Sequence, residues 1–323
     1  MRVDAILSNL NLDANIYELE SNYQGNTLHV MREDALAYSF GGNKVRIAIE
    51  LFEDLKRKNC DCIISYGGRG SNLNRVIANM AFNQRIPCYV IVSETEGDQF
   101  FESINDKMVR LSHAKVINCK KKDVLKTVVQ VFEMCNQKGL RYYYIYGNAE
   151  GVGNESVHVA AYHKVYKQIL AYEANNNIRF DYIFLASGTG MTQAGLVSGM
   201  IDAADEKTIV GISVSKSKMA GEMSITRGVE QFFPDKRINF SDMIHFEDRY
   251  NCGGYGCYND EINRTIIDIL VRYGIPLDRT YTGKAFWGMN AYLENKSIAG
   301  KHILFIHTGG TPLFFDDFYG CVR

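Results

Sequence analysis

The chain has 323 residues, 46% hydrophobic and 23% charged, with a net charge of −1. These are the proportions of a folded soluble protein, long enough for one large domain or two ordinary ones. The near-neutral balance excludes an electrostatic footprint for nucleic acid or a charged membrane surface, and no apolar run approaches the roughly 20 residues a bilayer demands.

In chain order, the opening MRVDAILSNLNLDAN lacks the charged start, apolar stretch and small-residue cleavage site of a signal peptide. FGGNKVRIAIE (40–50) runs from a glycine turn through Lys44 into a helix. A lysine there is either a solvated residue near a helix start or a group placed for chemistry. DCIISYGG (61–68) is a strand, NLNRVIANMAFNQ a helix with apolar residues at three and four, and PCYVIVSE a strand. FESINDKMVRLSHA (101–114) is a helix, KVINC a strand, KKDVLKTVVQVFEMCNQKG a helix closed by glycine, and RYYYIYG (141–147) a fourth strand. Strands separated by helices of this length predict parallel βαβ units. The glycine-rich GNAEGVGNES (147–156) reads as a crossing between domains. A helix follows from Val157 to Glu173, then a buried strand in FDYIFLASGTG, a helix from MTQAGLVSGMIDAA and a strand in TIVGISVS. The stretch 241–260 is aromatic-rich and irregular; EINRTIIDILVRYG and GKAFWGMNAYLENKS are helices, and KHILFIHTGG is the last strand.

Five stretches can carry chemistry. ASGTGMTQAG (186–195) joins a strand to a helix through small residues, which suits a phosphate as well as a plain turn. It matches neither a Walker loop nor a dinucleotide G-x-G-x-x-G. In YGGRGSNLNR, Ser71 and Asn72 fall where helix caps fall, or where a carboxylate or cofactor oxygen binds. Tyr255 in GGYGC and Tyr281 in TYTGKA are either packing residues or proton carriers, and HTGGTP (307–312) closes the last strand. The eight cysteines include no C-x2-C pair, and His158/His163 and His302/His307 are spaced five apart, so no metal site is expected and the thiols read as reduced.

Taken together, and in this order from MREDALAYSFGGNKVR to HTGGTPLFF, these motifs resemble the fold-type II pyridoxal-phosphate enzymes. The group resembled is the D-cysteine desulfhydrases and 1-aminocyclopropane-1-carboxylate deaminases. The resemblance implies an α/β, tryptophan synthase β-subunit-like fold of two open twisted domains with the cofactor in the cleft. A small domain over 47–155 would be inserted in a large one from 1–46 plus 156–323. It also implies pyridoxal 5′-phosphate as cofactor, a small amino acid as substrate, a homodimer, a cytoplasmic setting, and neither nucleic acid nor membrane as partner.

Carried over by position, Lys44 forms the covalent link to the cofactor, and then Lys44, or a tyrosine in its place, serves as base. Asn72 contacts its phenolic oxygen and Ser71 lies beside the substrate. Gly188, Thr189, Gly190, Met191 and Thr192 hold the phosphate, while Tyr255 and Tyr281 face the substrate. The deaminases resembled carry a glutamate for the pyridine nitrogen where this chain has Thr282, and Thr308 is a second candidate partner for that nitrogen. A hydroxyl there favours desulfhydrase-like α,β-elimination over cyclopropane opening. Gly70 replaces a customary glutamine, which keeps β-elimination or replacement on another β-substituted amino acid as an alternative. A non-catalytic amino-acid or cofactor binder is the reading from a different class. A desolvated site is expected to lower the Lys44 pKa.

Overall fold

The computed structural model describes residues 10–94, 103–235 and 239–321, with side chains up to 317. The elements are β1 (Ile16–Tyr23), β2 (Asn26–Arg32), α1 (Asn43–Arg57), β3 (Cys62–Gly67), α2 (Asn72–Gln84), β4 (Cys88–Glu94), α3 (Ile104–Leu111), β5 (Lys115–Lys120), α4 (Val124–Gln137) and β6 (Tyr142–Tyr144). They continue with α5 (Glu155–Asn176), β7 (Tyr182–Ser187), α6 (Met191–Asp202), β8 (Thr208–Ser213), α7 (Lys218–Phe232), β9 (His245–Glu247), α8 (Asp260–Tyr273), α9 (Thr282–Asn295), β10 (His302–His307) and α10 (Thr311–Cys321). Two compact units result. The smaller is built mainly on Lys44–Val157, the larger on Leu12–Leu36, Phe40–Asn43 and His158–Arg323.

The smaller unit holds a parallel sheet in the order β5-β4-β3-β6. Strand side chains alternate in direction, so β4 sends Tyr89 and Ile91 to one face and Val90 and Val92 to the other. The first face packs with Ile64, Val128, Val131 and Tyr144, the second with Ala78 and Val109. Helix α2 starts where Ser71 caps it, its Oγ accepting from Asn74 N at 3.2 Å, and ends at Arg85 in a left-handed conformation.

The larger unit holds a six-stranded sheet in the order β1-β2-β10-β7-β8-β9, parallel except for the antiparallel edge strand β1. Its buried strands read as continuous apolar runs: YIFLAS in β7 and HILFIH in β10 are buried at every position after the first. On one face lie Phe184, Val210, Ile266, Phe286, Met289 and Phe305. Elsewhere α6 presses Gly195 and Gly199 onto α5, where a Cβ would lie 2.5 Å from Tyr162 Cβ and 2.3 Å from Tyr166 Cβ.

Several elements depart from the sequence expectations. Strands β1 and β2 were not expected. β1 alternates weakly (its burial pattern is half-exposed throughout) because it is an edge strand. β9 emerges from the stretch expected to be irregular, as a three-residue edge strand. The fourth strand of the smaller unit is cut to Tyr142–Tyr144, and the helix expected over 157–173 extends to Glu155–Asn176. Residues 101–102 of the expected 101–114 helix lie outside the described residues, and the helix begins at Ile104 behind the cap of Ser103. No helix among the described residues is long and apolar enough to cross a membrane.

Candidate active site

Within the larger unit the parallel neighbours β2, β10 and β7 end side by side, with His307 paired to Arg32 and Ile306 to Leu185. Ligands of open α/β sheets bind beyond the carboxyl ends of such strands. Three glycine turns meet there. Asn43 N donates to Thr308 O at 3.0 Å, and Gly42 N to Glu33 O at 2.7 Å. Gly42 and Gly309 touch backbone to backbone: a Cβ on Gly309, at φ +106°, would lie 2.6 Å from Gly42 Cα. The Asn43 side chain donates to Thr192 Oγ1 at 2.9 Å, so the GGNK turn is tied to the Gly188–Thr192 loop. The bond uses a lone pair of Thr192 and leaves its hydroxyl proton available.

The 188–192 loop opens directly into α6. Gly190, at φ +91°, caps the helix, and the N–H groups of its first turn face outward from a helix N-terminus. Met191 turns its side chain inward, and Gly228 makes room for it; a Cβ there would lie 3.1 Å from Met191 Cε. Thr189 is exposed, and its carbonyl lies 3.5 Å from the Lys216 ammonium, which also donates to Ser224 Oγ at 2.6 Å. His307 is wholly buried. Its Nε2–H donates to Pro276 O at 2.7 Å and its Nδ1 accepts from Gly309 N at 3.3 Å, so the ring is a neutral imidazole that fixes the Thr308–Gly310 turn. Burial holds its pKa down, against the pull of Asp34. The Thr308 hydroxyl makes no hydrogen bond among the described residues, while the side chain is largely buried.

Asp278 organises the next turn of the same unit. Its carboxylate accepts from the N–H groups of Thr280 at 2.9 Å, Tyr281 at 2.7 Å and Thr282 at 3.2 Å. The Thr282 hydroxyl donates to Asp278 Oδ2 at 2.8 Å and accepts from Asp278 N at 3.0 Å. Burial pushes the Asp278 pKa up to about 6 despite these donors. The phenols of Tyr255 and Tyr281 share a hydrogen bond of 2.9 Å with their rings edge to face, so these two tyrosines form one unit of chemistry.

In the smaller unit, Ser71 and Asn72 begin α2 beyond the end of β3. Gly67 makes room for them, since a Cβ there would lie 2.7 Å from Ser71 Oγ. The Asn72 Oδ1 accepts from Asn105 Nδ2 at 2.9 Å and from an Arg75 guanidinium nitrogen at 3.4 Å. Its amide donors are thereby turned the other way. Asn105 also donates to Gly70 O at 3.0 Å, which steadies the turn where glutamine is customary. Lys44 lies in the first turn of α1, one residue beyond Asn43, and burial pulls its ammonium down to about 8.

Pyridoxal phosphate asks for an anion cradle, an amine that is partly neutral at physiological pH, and donors for its ring oxygen and nitrogen. Taken by itself, the larger unit offers a helix N-terminus with Thr192 for the anion and the Thr308 hydroxyl as a donor, and the smaller unit offers the Lys44 amine and the Asn72 amide, so the residue types present in each unit fit the group. Asn43, Asn105, Arg75, Asp278 and Lys216 were not singled out from the sequence. Asn43 stands inside the GGNK motif and Asp278 just before TYTGK, so the motif neighbourhoods held the only signal for them.

Comparison with known proteins agrees. D-cysteine desulfhydrase of Yersinia pestis is 28% identical over 305 residues, covering 91% of this chain and 90% of the relative. D-cysteine desulfhydrase of Serratia proteamaculans is 26% identical over 302 residues, with the same shares covered. The crystal structure of an ACC deaminase homologue superposes with a TM-score of 0.82 at 23% identity, over 99% of this chain and 98% of that one, which shows the fold. Residues 15–309 match the family described as pyridoxal-phosphate dependent enzyme, and with turns, amine and cradle in place the chain belongs to that family.

Proposed function

We propose that this enzyme carries out α,β-elimination on a small β-substituted amino acid, with D-cysteine as the substrate and sulfide, pyruvate and ammonia as products. Bound pyridoxal phosphate supplies the electron sink that makes the Cα proton acidic. In this reading Lys44 holds the cofactor and takes the Cα proton; an amine with a pKa of about 8 is partly neutral at physiological pH. Ser71 Oγ already accepts from Asn74 N, so its proton is free to meet the substrate carboxylate. Gly188–Thr192 and the α6 N-terminus bind the phosphate, and the Asn72 amide donates to the ring oxygen. The hydrogen-bonded Tyr255–Tyr281 pair steers a proton to the departing thiolate.

The observation that carries elimination over ring opening is the state of Thr282. Its proton is committed to Asp278, so Thr308 remains as the hydroxyl partner of the ring nitrogen. A hydroxyl partner leaves that nitrogen nearer neutral than a glutamate would. A weaker sink suits a reaction in which a leaving group on Cβ carries the electrons away. The relatives named D-cysteine desulfhydrase support the choice of substrate. The reading also takes the enzyme to work in the cytoplasm as a homodimer, which sedimentation velocity tests.

The deciding experiment offers D-cysteine, L-cysteine and 1-aminocyclopropane-1-carboxylate to the purified holoenzyme. Sulfide and pyruvate from D-cysteine are expected, with the Lys44→Ala variant losing both turnover and the visible cofactor band. Release of 2-oxobutyrate from the cyclopropane, without sulfide from cysteine, would replace elimination by ring opening.

A further inference from the structure

Lys284 is fully buried in the first turn of α9, where the helix dipole opposes a positive charge. Among the described residues it makes no ion pair. Its ammonium instead donates to three backbone carbonyls: Val214 at 3.0 Å, Asn251 at 2.9 Å and Gly254 at 2.9 Å. Three acceptors match the three N–H groups of an ammonium; a neutral amine has only two. Burial lowers its pKa, and Cys252, Cys257 and Asp278 pull the other way.

The carbonyls converge because of an unusual backbone. Cys252, Gly253, Gly254 and Gly256 have φ of +55°, +89°, +146° and +74°. The glycines take these angles without steric cost but lose the most entropy on being ordered, and Cys252 is strained there, so the loop holds this shape only when something fixes it. The loop has little cover of its own, since Tyr255 is 52% exposed, so the buried ammonium beneath it is the anchor. Val214, the third acceptor, donates its own N–H to Ser187 O at 3.2 Å, just before the Gly188 turn. One charge thus ties the Tyr255 loop to the strand end that precedes the phosphate loop and to the helix that follows Tyr281.

We propose that Lys284 is a tethered monovalent cation: its ammonium fills a three-carbonyl cation site and so positions Tyr255 against Tyr281. The N···O distances of 2.9–3.0 Å suit an ammonium or a potassium ion. They exceed the roughly 2.0–2.6 Å of magnesium and calcium sites. Lys284 touches no reacting atom and is a positioning residue; the same chain without it would become an enzyme that depends on a monovalent cation.

The test uses Lys284→Ala, which empties the site, and Lys284→Met, which fills it without charge. Each is compared with the wild type in 100 mM choline, ammonium, potassium or magnesium chloride at matched ionic strength. Two readouts are taken. The melting temperature of Lys284→Ala should rise by about 2–4 °C in ammonium or potassium relative to choline, with magnesium no better. Wild type and Lys284→Met should not respond. The kcat/KM of both variants should fall at least about tenfold in choline, with ammonium or potassium restoring Lys284→Ala alone. The kinetic arm rests on the proposed role of Tyr255. The melting arm does not, so a thermal response without kinetic rescue would place the fault in that role and leave the cation site standing. A Lys284→Ala protein indifferent to every cation, or a Lys284→Met protein equal to wild type, would overturn the proposal. If Lys284→Ala does not fold in choline, refolding yield decides: native protein recovered in ammonium or potassium supports the site, and none in any salt overturns it.

Discussion

Lys44 shows how one residue can be read for both stability and reactivity. Its folded pKa of about 8 lies below the 10.5 of a free lysine, so the folded state binds fewer protons between those values. Folding stability of the apoenzyme therefore rises with pH in that window, and the burial cost is fully present below it. Lys44→Met should stabilise the apoenzyme at pH 7 by about 1–3 kcal/mol, and the gain should shrink in urea melts as pH passes from 8 toward 10.5. The same shift sets how fast apoenzyme takes up pyridoxal phosphate. That rate should climb about tenfold per pH unit below pH 8 and level above it; a rate still climbing at pH 10 would mean an ordinary lysine. A second residue acts at one remove. Asn105→Ala releases the Asn72 amide and leaves Gly70 O without that donor, so the cofactor dissociation constant should weaken about tenfold in a fluorescence titration. An unchanged constant would show that Asn72 needs no partner to aim it. Lys44, Ser71, Asn72 and the tyrosines were legible in the sequence because glycines or a helix start mark them. Asn105 and Asn43 were not, because their partners are set by folding: Asn105 meets Asn72 across 33 residues of chain, and Asn43 meets Thr192 across 149.

The turns that end the strands meet backbone to backbone. A methyl group on Gly309 would run into the Gly42 backbone at a left-handed φ that an alanine resists. Gly309→Ala should therefore cost about 3 kcal/mol or more in denaturant melts. Gly68→Ala, where nothing lies within 4 Å, should stay within about 0.5 kcal/mol. Equal costs would mean that the meeting of the GGNK and HTGG turns is not rigid. The sequence made those turns conspicuous without showing that they touch, since a glycine marks a close approach but not the partner. It also marked the parallel strands β3 to β8 and β10, because buried parallel strands are unbroken apolar runs. It failed at β1, β2 and β9. IYELESNY carries too many charges to look like a strand, and in NTLHVMR the polar Asn26 and His29 are as buried as the apolar residues around them. HFE is too short for any period to register.

Chain order and sheet order conflict across the whole molecule, and that conflict has a consequence for folding. The smaller unit's four strands, β3 to β6, are consecutive in sequence. The larger unit's sheet is interrupted: β2 pairs with β10 over six positions from Thr27 to Arg32, with about 270 residues of chain between them. β2 is also interior, flanked by β1 and β10, and Leu28, Val30 and Met31 are almost wholly buried. A fragment of residues 37–157 keeps all four strands and the bonds that Asn83 donates to Tyr38 and Arg75 to Ser39, so it should fold alone with a cooperative urea transition. A fragment of residues 158–323 lacks β2, leaves the β10 edge unpaired and exposes the apolar residues that β2 covers. It should aggregate or remain a loosely packed state with little near-UV circular dichroism. Adding a synthetic peptide of residues 12–36 should restore part of that signal. If the 158–323 fragment folded cooperatively without the peptide, β2 would be an accessory to the sheet, and the argument that the larger unit needs both ends of the chain would fall.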